Sequence, residues 1–198
     1  MMFQVRFHGR GGQGVVTAAE LLASAAFRED RWAQAFPSFG SERMGAPVTS
    51  FCRIDDRPIR TREPITEPDA LLIQDVTLLR QADTFSGLRP DGYVLVNSAK
   101  SLDDLGLAEF AAKLHGGRLL AVPASQLALS HLGRPLPGAP MLGGFAALTG
   151  AITLDAVLAV IDDRFPGKVA EGNVAAARAA FDFAVRQRAA QRKALTDA

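Results

Sequence analysis

Hydrophobic and polar positions alternate at the start of the chain. Phe3, Val5 and Phe7 fall on one side, and Gln4 and Arg6 on the other. A period of two predicts a β-strand. From Val15 to Phe27 the period lengthens: Val15, Ala18, Leu22, Ala25 and Ala26 recur at helical spacing in a run of good helix formers. Between strand and helix lies HGRGGQG, residues 8–14, with four glycines between Gly9 and Gly14.

The same reading predicts strands at 31–36, 48–54, 70–74, 92–98 and 118–123, with a proline-framed loop over 37–47 and a helix over 102–115. After Pro123 the strand pattern stops. Four helical segments follow (124–133, 141–151, 154–165 and 169–195), the last with Val174, Ala177, Phe181, Ala184 and Val185 as an apolar stripe. Strands alternating with helices predict an α/β fold: an open, mostly parallel, Rossmann-like sheet with helices on both faces and a helical C-terminal part. The expected organisation is a single domain over 1–198, alternating to 123 and mainly helical from 124 to 198.

Composition narrows the function. The chain has 198 residues, 48% hydrophobic and 22% charged, with a net charge of +1. No global field draws it to nucleic acid or to an anionic membrane, and no apolar run has the length that spans a bilayer. No basic segment leads into an apolar one as in a signal peptide, and a lone cysteine fits a reducing compartment, so a cytoplasmic location is expected. One cysteine cannot hold an iron–sulfur cluster, and three separated histidines (His8, His115, His131) make a metal site of this chain's own unexpected. Cys52, inside a strand, reads as a small buried apolar residue. His8 reads as a structural histidine. Asp69 and Asp75, flanking a strand, read as turn and cap residues. The basic helix end with Arg186, Arg188, Arg192 and Lys193 reads as a solvated terminus.

Gly9, Gly11 and Gly14 match G-x-G-x-x-G between a strand and a helix. Such a loop permits a tight turn, lets a phosphate approach the backbone, and aims helix N–H groups at an anion. A dinucleotide site also needs an acidic residue at the end of the second strand to bind ribose hydroxyls. Here that strand ends AQAFPS, without one. The loop therefore reads either as an anion or cofactor contact without a ribose clamp or as close packing only. No Ser/His/Asp or paired-carboxylate arrangement is visible, so no residue is assigned a catalytic role.

Three long stretches carry more information than the loop: HGRGGQGVVTAAELLA, QAFPSFGSERMGAPVTSFCRIDDRPIR and EPDALLIQDVTLL. In this order, over about residues 3–185, they resemble the γ subunit of 2-oxoacid:acceptor oxidoreductases, the pyruvate:ferredoxin oxidoreductase type. The resemblance implies an open α/β chain that holds no cofactor alone and helps form the active site on the coenzyme A side. It implies thiamine diphosphate and iron–sulfur clusters on α, β and ferredoxin-like δ-type partner subunits, and delivery of electrons through them to ferredoxin or another acceptor. It assigns Gly9, Gly11, Gly12, Gln13 and Gly14 to a glycine-rich turn, and Pro37, Ser38, Phe39, Gly40, Glu42, Arg43, Gly45 and Ala46 to a second signature loop. Gly9, Gly11, Gly12, Gln13, Gly14, Ser38, Arg43 and Gly45 are the expected ligand contacts. Arg43 suits an anion clamp, with a salt bridge to Glu42 or to a partner residue as its other reading. Ser38 and Ser41 read either as donors to a ligand or as turn residues. Two departures stand out: Gly138 sits near where many members have asparagine, and Met44 where a second arginine is common. A stand-alone NAD(P)-binding protein and a purely structural assembly subunit are the alternative readings.

Overall fold

The structure, a computed structural model, describes residues 1–38, 44–81, 83–114 and 117–196. Among them a six-stranded sheet runs in the order β2-β3-β1-β4-β5-β6. The strands are β1 (Phe3–Arg10), β2 (Trp32–Pro37), β3 (Pro47–Asp55), β4 (Ala70–Ile73), β5 (Tyr93–Asn97) and β6 (Leu119–Val122). The helices are α1 (Val15–Arg28), α2 (Ala108–Lys113), α3 (Ala124–Leu132), α4 (Gly138–Thr149), α5 (Leu154–Arg164) and α6 (Gly167–Thr196).

β1, β4, β5 and β6 are parallel, with Val5 opposite Ala70 and Leu72 opposite Leu95. β3 runs antiparallel to both β1 and β2. Among the described residues no helix separates β2 from β3. Because two antiparallel steps restore direction, β2 points the same way as β1, and the loops after both leave the sheet at one end. The chain departs from β1 toward β2 and from β4 toward β5, on opposite sides. The β1–β4 boundary is thus the switch point of the sheet, where open α/β folds bind ligands beyond the carboxyl ends of their strands.

One face of the sheet carries the long helices. Val5, Phe7, Leu72, Leu95 and Leu120 pack there under α1, α4, α5 and α6 in a cluster reaching from Val5 to Ala184. Val15, Ala18, Leu22, Ala25 and Ala26 of α1 are all buried. On α6, Ala177 and Ala184 are fully buried, and Val174 and Phe181 partly so. Val185, expected on the same stripe, is 46% exposed, and Ala170, Ala176 and Ala180 take the remaining contacts. Small residues let α6 lie close to α4, whose Gly143 has no room for a side chain.

The second face has a thinner cover: Leu71, Ile73, Val94 and Val96 meet Phe85, Leu105 and Phe110. The helix expected over 102–115 contracts to the six residues of α2. Ser101 and Asp104 exchange hydrogen bonds in a local turn, with Ser101 Oγ donating at 2.7 Å, and Gly106 sits at φ +69°, outside the helical region. Arg6, expected on a polar face, is 7% exposed. Its guanidinium donates to the carbonyls of Ile65, Thr84 and Ser86, stitching irregular segments onto the sheet.

Candidate functional site

The glycine loop sits over the switch point. Gly9, the penultimate residue of β1, is buried, and a Cβ there would stand 2.6 Å from Val15 Cγ2 and 3.3 Å from Gln74 Cβ. That residue serves close packing. Gly12 at φ +92° and Gly14 at φ +72° hold left-handed turns that place the loop before α1. Gly14 is the N-cap of α1, without a side-chain cap and with no acidic residue in the first turn. Among the described residues no side chain therefore caps the N–H groups at the positive dipole end of α1.

The second loop joins the first. Gly11 donates its N–H to the Ala46 carbonyl at 2.9 Å, and Gly45 donates to the Gly11 carbonyl at 3.1 Å. Ser38 continues the β2–β3 ladder by donating its N–H to the Thr49 carbonyl at 2.8 Å, and is exposed. Of the expected contacts, Gly9, Gly11, Gly12, Gln13, Gly14 and Gly45 thus form one joined cluster. Ser38 lies at the base of its loop. Arg43, with Phe39, Gly40, Ser41 and Glu42, lies outside the described residues. Met44 is 89% exposed and covers Gly12, its Sδ 2.8 Å from where a Cβ would sit.

Two cavities flank the glycine loop. One, of about 480 Å³, is lined by Arg10, Gly12, Val16, Thr17, Met44 and Val48 among others. The other, of about 440 Å³, opens between the loop, the α3–α4 connection and the start of α6, and includes Thr17, Arg134, Leu136, Phe165, Val169 and Asn173. The N-terminus of α4 also reaches it through Gly138, which lies against Ala18 and Gly14. Like α1, α4 has neither a side-chain cap nor an acidic first turn. Two helix N-termini without a side-chain cap among the described residues, and one arginine, therefore border a largely apolar cavity, a setting for an amphipathic anion. Asn173, 5% exposed, spends one amide hydrogen on the Val169 carbonyl at 2.9 Å.

The polar groups beneath the loop are fixed. Burial, reinforced by the charge of Arg6, pushes His8 down to about 4. Arg6 Nε donates to His8 Nε2 at 2.9 Å, so the neutral ring carries its proton on Nδ1. His8 is structural, as expected. Asp75 accepts from Thr77 N–H at 2.9 Å and Gln13 Nε2 at 2.8 Å, and Arg10 lies 3.4 Å away. Burial disfavours its charge, but the hydrogen bonds of Thr77 and Gln13 and the charge of Arg10 outweigh this and hold its carboxyl below the usual range. Gln74, 1% exposed, has no partner for either side-chain amide atom among the described residues, a place where an ordered water ordinarily sits. Cys52 is fully buried, and burial pushes its thiol far up, so it is neither a reactive thiol nor a metal ligand. Among the described residues no group of His, Cys, Asp and Glu could hold a metal ion. None of the described helices is long and apolar enough to cross a membrane.

Sequence reasoning singled out neither Arg10 nor Arg134. Arg10 stood in plain view between the glycines, whereas Arg134 joins the site only through tertiary packing.

Fold and loops together define an open α/β chain with a glycine loop at its switch point and no acidic residue in β2. The comparisons place it more narrowly. It is 47% identical over 184 residues to the "Pyruvate/ketoisovalerate oxidoreductases common subunit gamma" of Thermococcus kodakarensis, covering 93% of this chain and 98% of that one. The crystal structure of pyruvate oxidoreductase subunit PORC from Thermotoga maritima superposes with a TM-score of 0.77 at 34% identity, covering 91% of this chain and 96% of that one. A 2-oxoglutarate:ferredoxin oxidoreductase from Magnetococcus marinus, solved with 2-oxoglutarate, coenzyme A and succinyl-CoA bound, shares the fold. Its TM-score is 0.67 at 20% identity, over all of this chain and 32% of that one. The chain belongs to the pyruvate ferredoxin/flavodoxin oxidoreductase family, whose profile matches residues 4–183, and within it to the γ-subunit type.

Proposed function

We propose that this chain is the γ subunit of a cytoplasmic, multi-subunit oxidoreductase that converts pyruvate or a related 2-oxoacid to its acyl-CoA, and that it supplies the coenzyme A side of the active site. Its partners are α, β and ferredoxin-like δ-type subunits. These carry thiamine diphosphate and iron–sulfur clusters and pass electrons to ferredoxin or another acceptor. The donor set of this chain fits no cluster, since its one cysteine is buried. Thiamine diphosphate supplies the carbanion chemistry of decarboxylation on the partners, and this chain contributes binding and orientation.

The carrying observation is the convergence of the α1 and α4 N-termini, both uncapped by side chains, on the cavity that contains Arg134. Phosphate oxygens of coenzyme A suit those N–H groups and that guanidinium, and the apolar walls of Leu136, Phe165 and Val169 suit its less polar parts. Gly11, Gly12 and Gly14 give backbone access. Gln13 fixes the loop, while Ser38, Arg43 and Gly45 belong to the adjoining one. The absence of an acid at the end of β2 fits a ligand whose ribose is not gripped as in a nicotinamide cofactor.

The test is steady-state kinetics of the assembled complex with Arg134→Ala. Loss of a charge-assisted contact should raise KM for coenzyme A about tenfold or more, with KM for the 2-oxoacid unchanged. An unchanged coenzyme A KM would remove this cavity from the site.

A further inference from the structure

We propose that Asp75 is a positioning residue that holds both loops of the candidate site in place across the β1–β4 switch point. Its two carboxylate oxygens divide the work. Oδ1 serves the local turn, accepting from Thr77 N–H at 2.9 Å and Thr77 Oγ1 at 2.5 Å, as an N-cap does at the 3-10 turn Val76–Arg80. Oδ2 faces the glycine loop: it accepts from Gln13 Nε2 at 2.8 Å and lies 3.4 Å from Arg10 Nε. Gln13 then turns its Oε1 back to accept the Arg10 N–H at 2.8 Å, closing the turn on itself.

Arg10 extends the tie to the second loop. Nη2 donates to Thr77 Oγ1 at 2.6 Å, while Nη1 donates to the Gly45 carbonyl at 3.0 Å. One carboxylate at the end of β4 thus restrains the segment after β1 directly and the segment before β3 through one arginine. A glycine-rich loop has little intrinsic order, since it lacks side chains that restrict the backbone. Its geometry must come from outside, and the described residues place this cluster there. The charge-assisted bonds are the stronger kind, and Asp75 is ionised throughout the neutral range because its carboxyl is held below the usual value.

The test exchanges donor and acceptor across the same gap in the assembled oxidoreductase. Asp75→Asn keeps an oxygen for the Thr77 N–H but presents an amide N–H to the amide of Gln13. Gln13→Glu sets a second carboxylate beside Asp75. The double variant, Gln13→Glu with Asp75→Asn, restores one donor, one acceptor and the same net charge. Each single variant should speed hydrogen exchange of the Gly11, Gln13 and Gly45 amides about tenfold, and the double variant should recover most of the protection. A purely local cap for the 3-10 turn would leave these amides unmoved, and exchange unchanged in Asp75→Asn would overturn the inference. So would a double variant no better than the worse single one.

What the loops bind rests on the reading above, so KM for coenzyme A is followed separately. A rise of about tenfold in the single variants, reversed in the double and falling on KM rather than kcat, supports both ideas. Restored exchange without any movement of that KM upholds Asp75 as the positioning residue and sinks the coenzyme A reading.

Discussion

Gly143→Ala tests the contact that sets the position of α4, whose N-terminus walls the largely apolar cavity that contains Arg134. A Cβ at Gly143 would stand 2.7 Å from the carbonyl carbon of Ala177 and 3.0 Å from its Cα, and closer still to the carbonyl oxygen. These are backbone atoms of α6, so no side chain can swing aside. Alanine gains about 1 kcal/mol over glycine in a helix interior. Against this, forcing an extra methyl into a packed core costs about 1–3 kcal/mol. Here the obstruction is backbone and its flanks, Ala176, Ala177 and Ala180, are fully buried, which places the cost at or beyond the top of that range. The net expectation is a loss of about 2 kcal/mol, equivalent to a fall of about 4–8 °C in Tm for a chain of this size, read by circular dichroism on the purified chain. Gly144→Ala is the control. Its added methyl would meet Leu95 Cδ2 at 3.2 Å, the end of a flexible side chain, and should change Tm by less than half as much. A Gly143→Ala protein as stable as the parent would refute the close α4–α6 approach and, with it, the rigid cavity wall.

Arg6→Met should remove the donors that hold the Ile65, Thr84 and Ser86 carbonyls, costing about 2–4 kcal/mol; faster proteolysis within 61–88 than elsewhere would mark the released segments. His8, pushed by burial and the charge of Arg6 down to about 4 from its ordinary 6.5, favours the folded state when neutral. Its contribution is whole above pH 6.5 and is lost as pH falls toward 4, by at most roughly 3–4 kcal/mol. Urea midpoints between pH 7 and 5 should decline, and His8→Gln should flatten that slope. Asp75 has the opposite sense, contributing above the ordinary carboxylate pKa and losing that contribution only as pH falls below it. Its effect therefore falls below the pH 7–5 range in which the histidine is read. Leu136→Asp, which puts a charge against the cavity wall beside Arg134, should raise the coenzyme A KM of the assembled complex about tenfold and leave the Tm of the chain within a few degrees.

The elements that the sequence made legible were those whose periodicity is written in consecutive residues. Phe3, Val5 and Phe7 mark β1, and the buried stripe of α1 follows from Val15, Ala18, Leu22, Ala25 and Ala26. The same local reading misjudged 102–115, because Ser101–Asp104 hydrogen bonds and the left-handed Gly106 compete with a helical composition. It could not give strand direction either: Val48–Ile54 has the same alternation whether it lies parallel or antiparallel to β1, and here it is antiparallel. Arg6 shows the same limit from another side. In alternation it is simply the polar partner of Phe7, and only an irregular cover without any period makes it buried.

The candidate site divides along the same line. Gly12 and Gly14 are legible because left-handed backbone demands glycine in the chain itself. Asp75 signals only its cap over Thr77, two residues away, while its bond to Gln13 spans 62 positions. Arg134 shares a cavity with the glycine loop because α4 packs back onto α1. A loop that needs glycine for its shape announces where it is, whereas the charged groups that hold it and complete its cavity come from other strands and helices. In this chain those groups are Arg10, Asp75 and Arg134, and the kinetic and exchange experiments on Asp75, Gln13 and Arg134 address the part of the site that local sequence pattern does not encode.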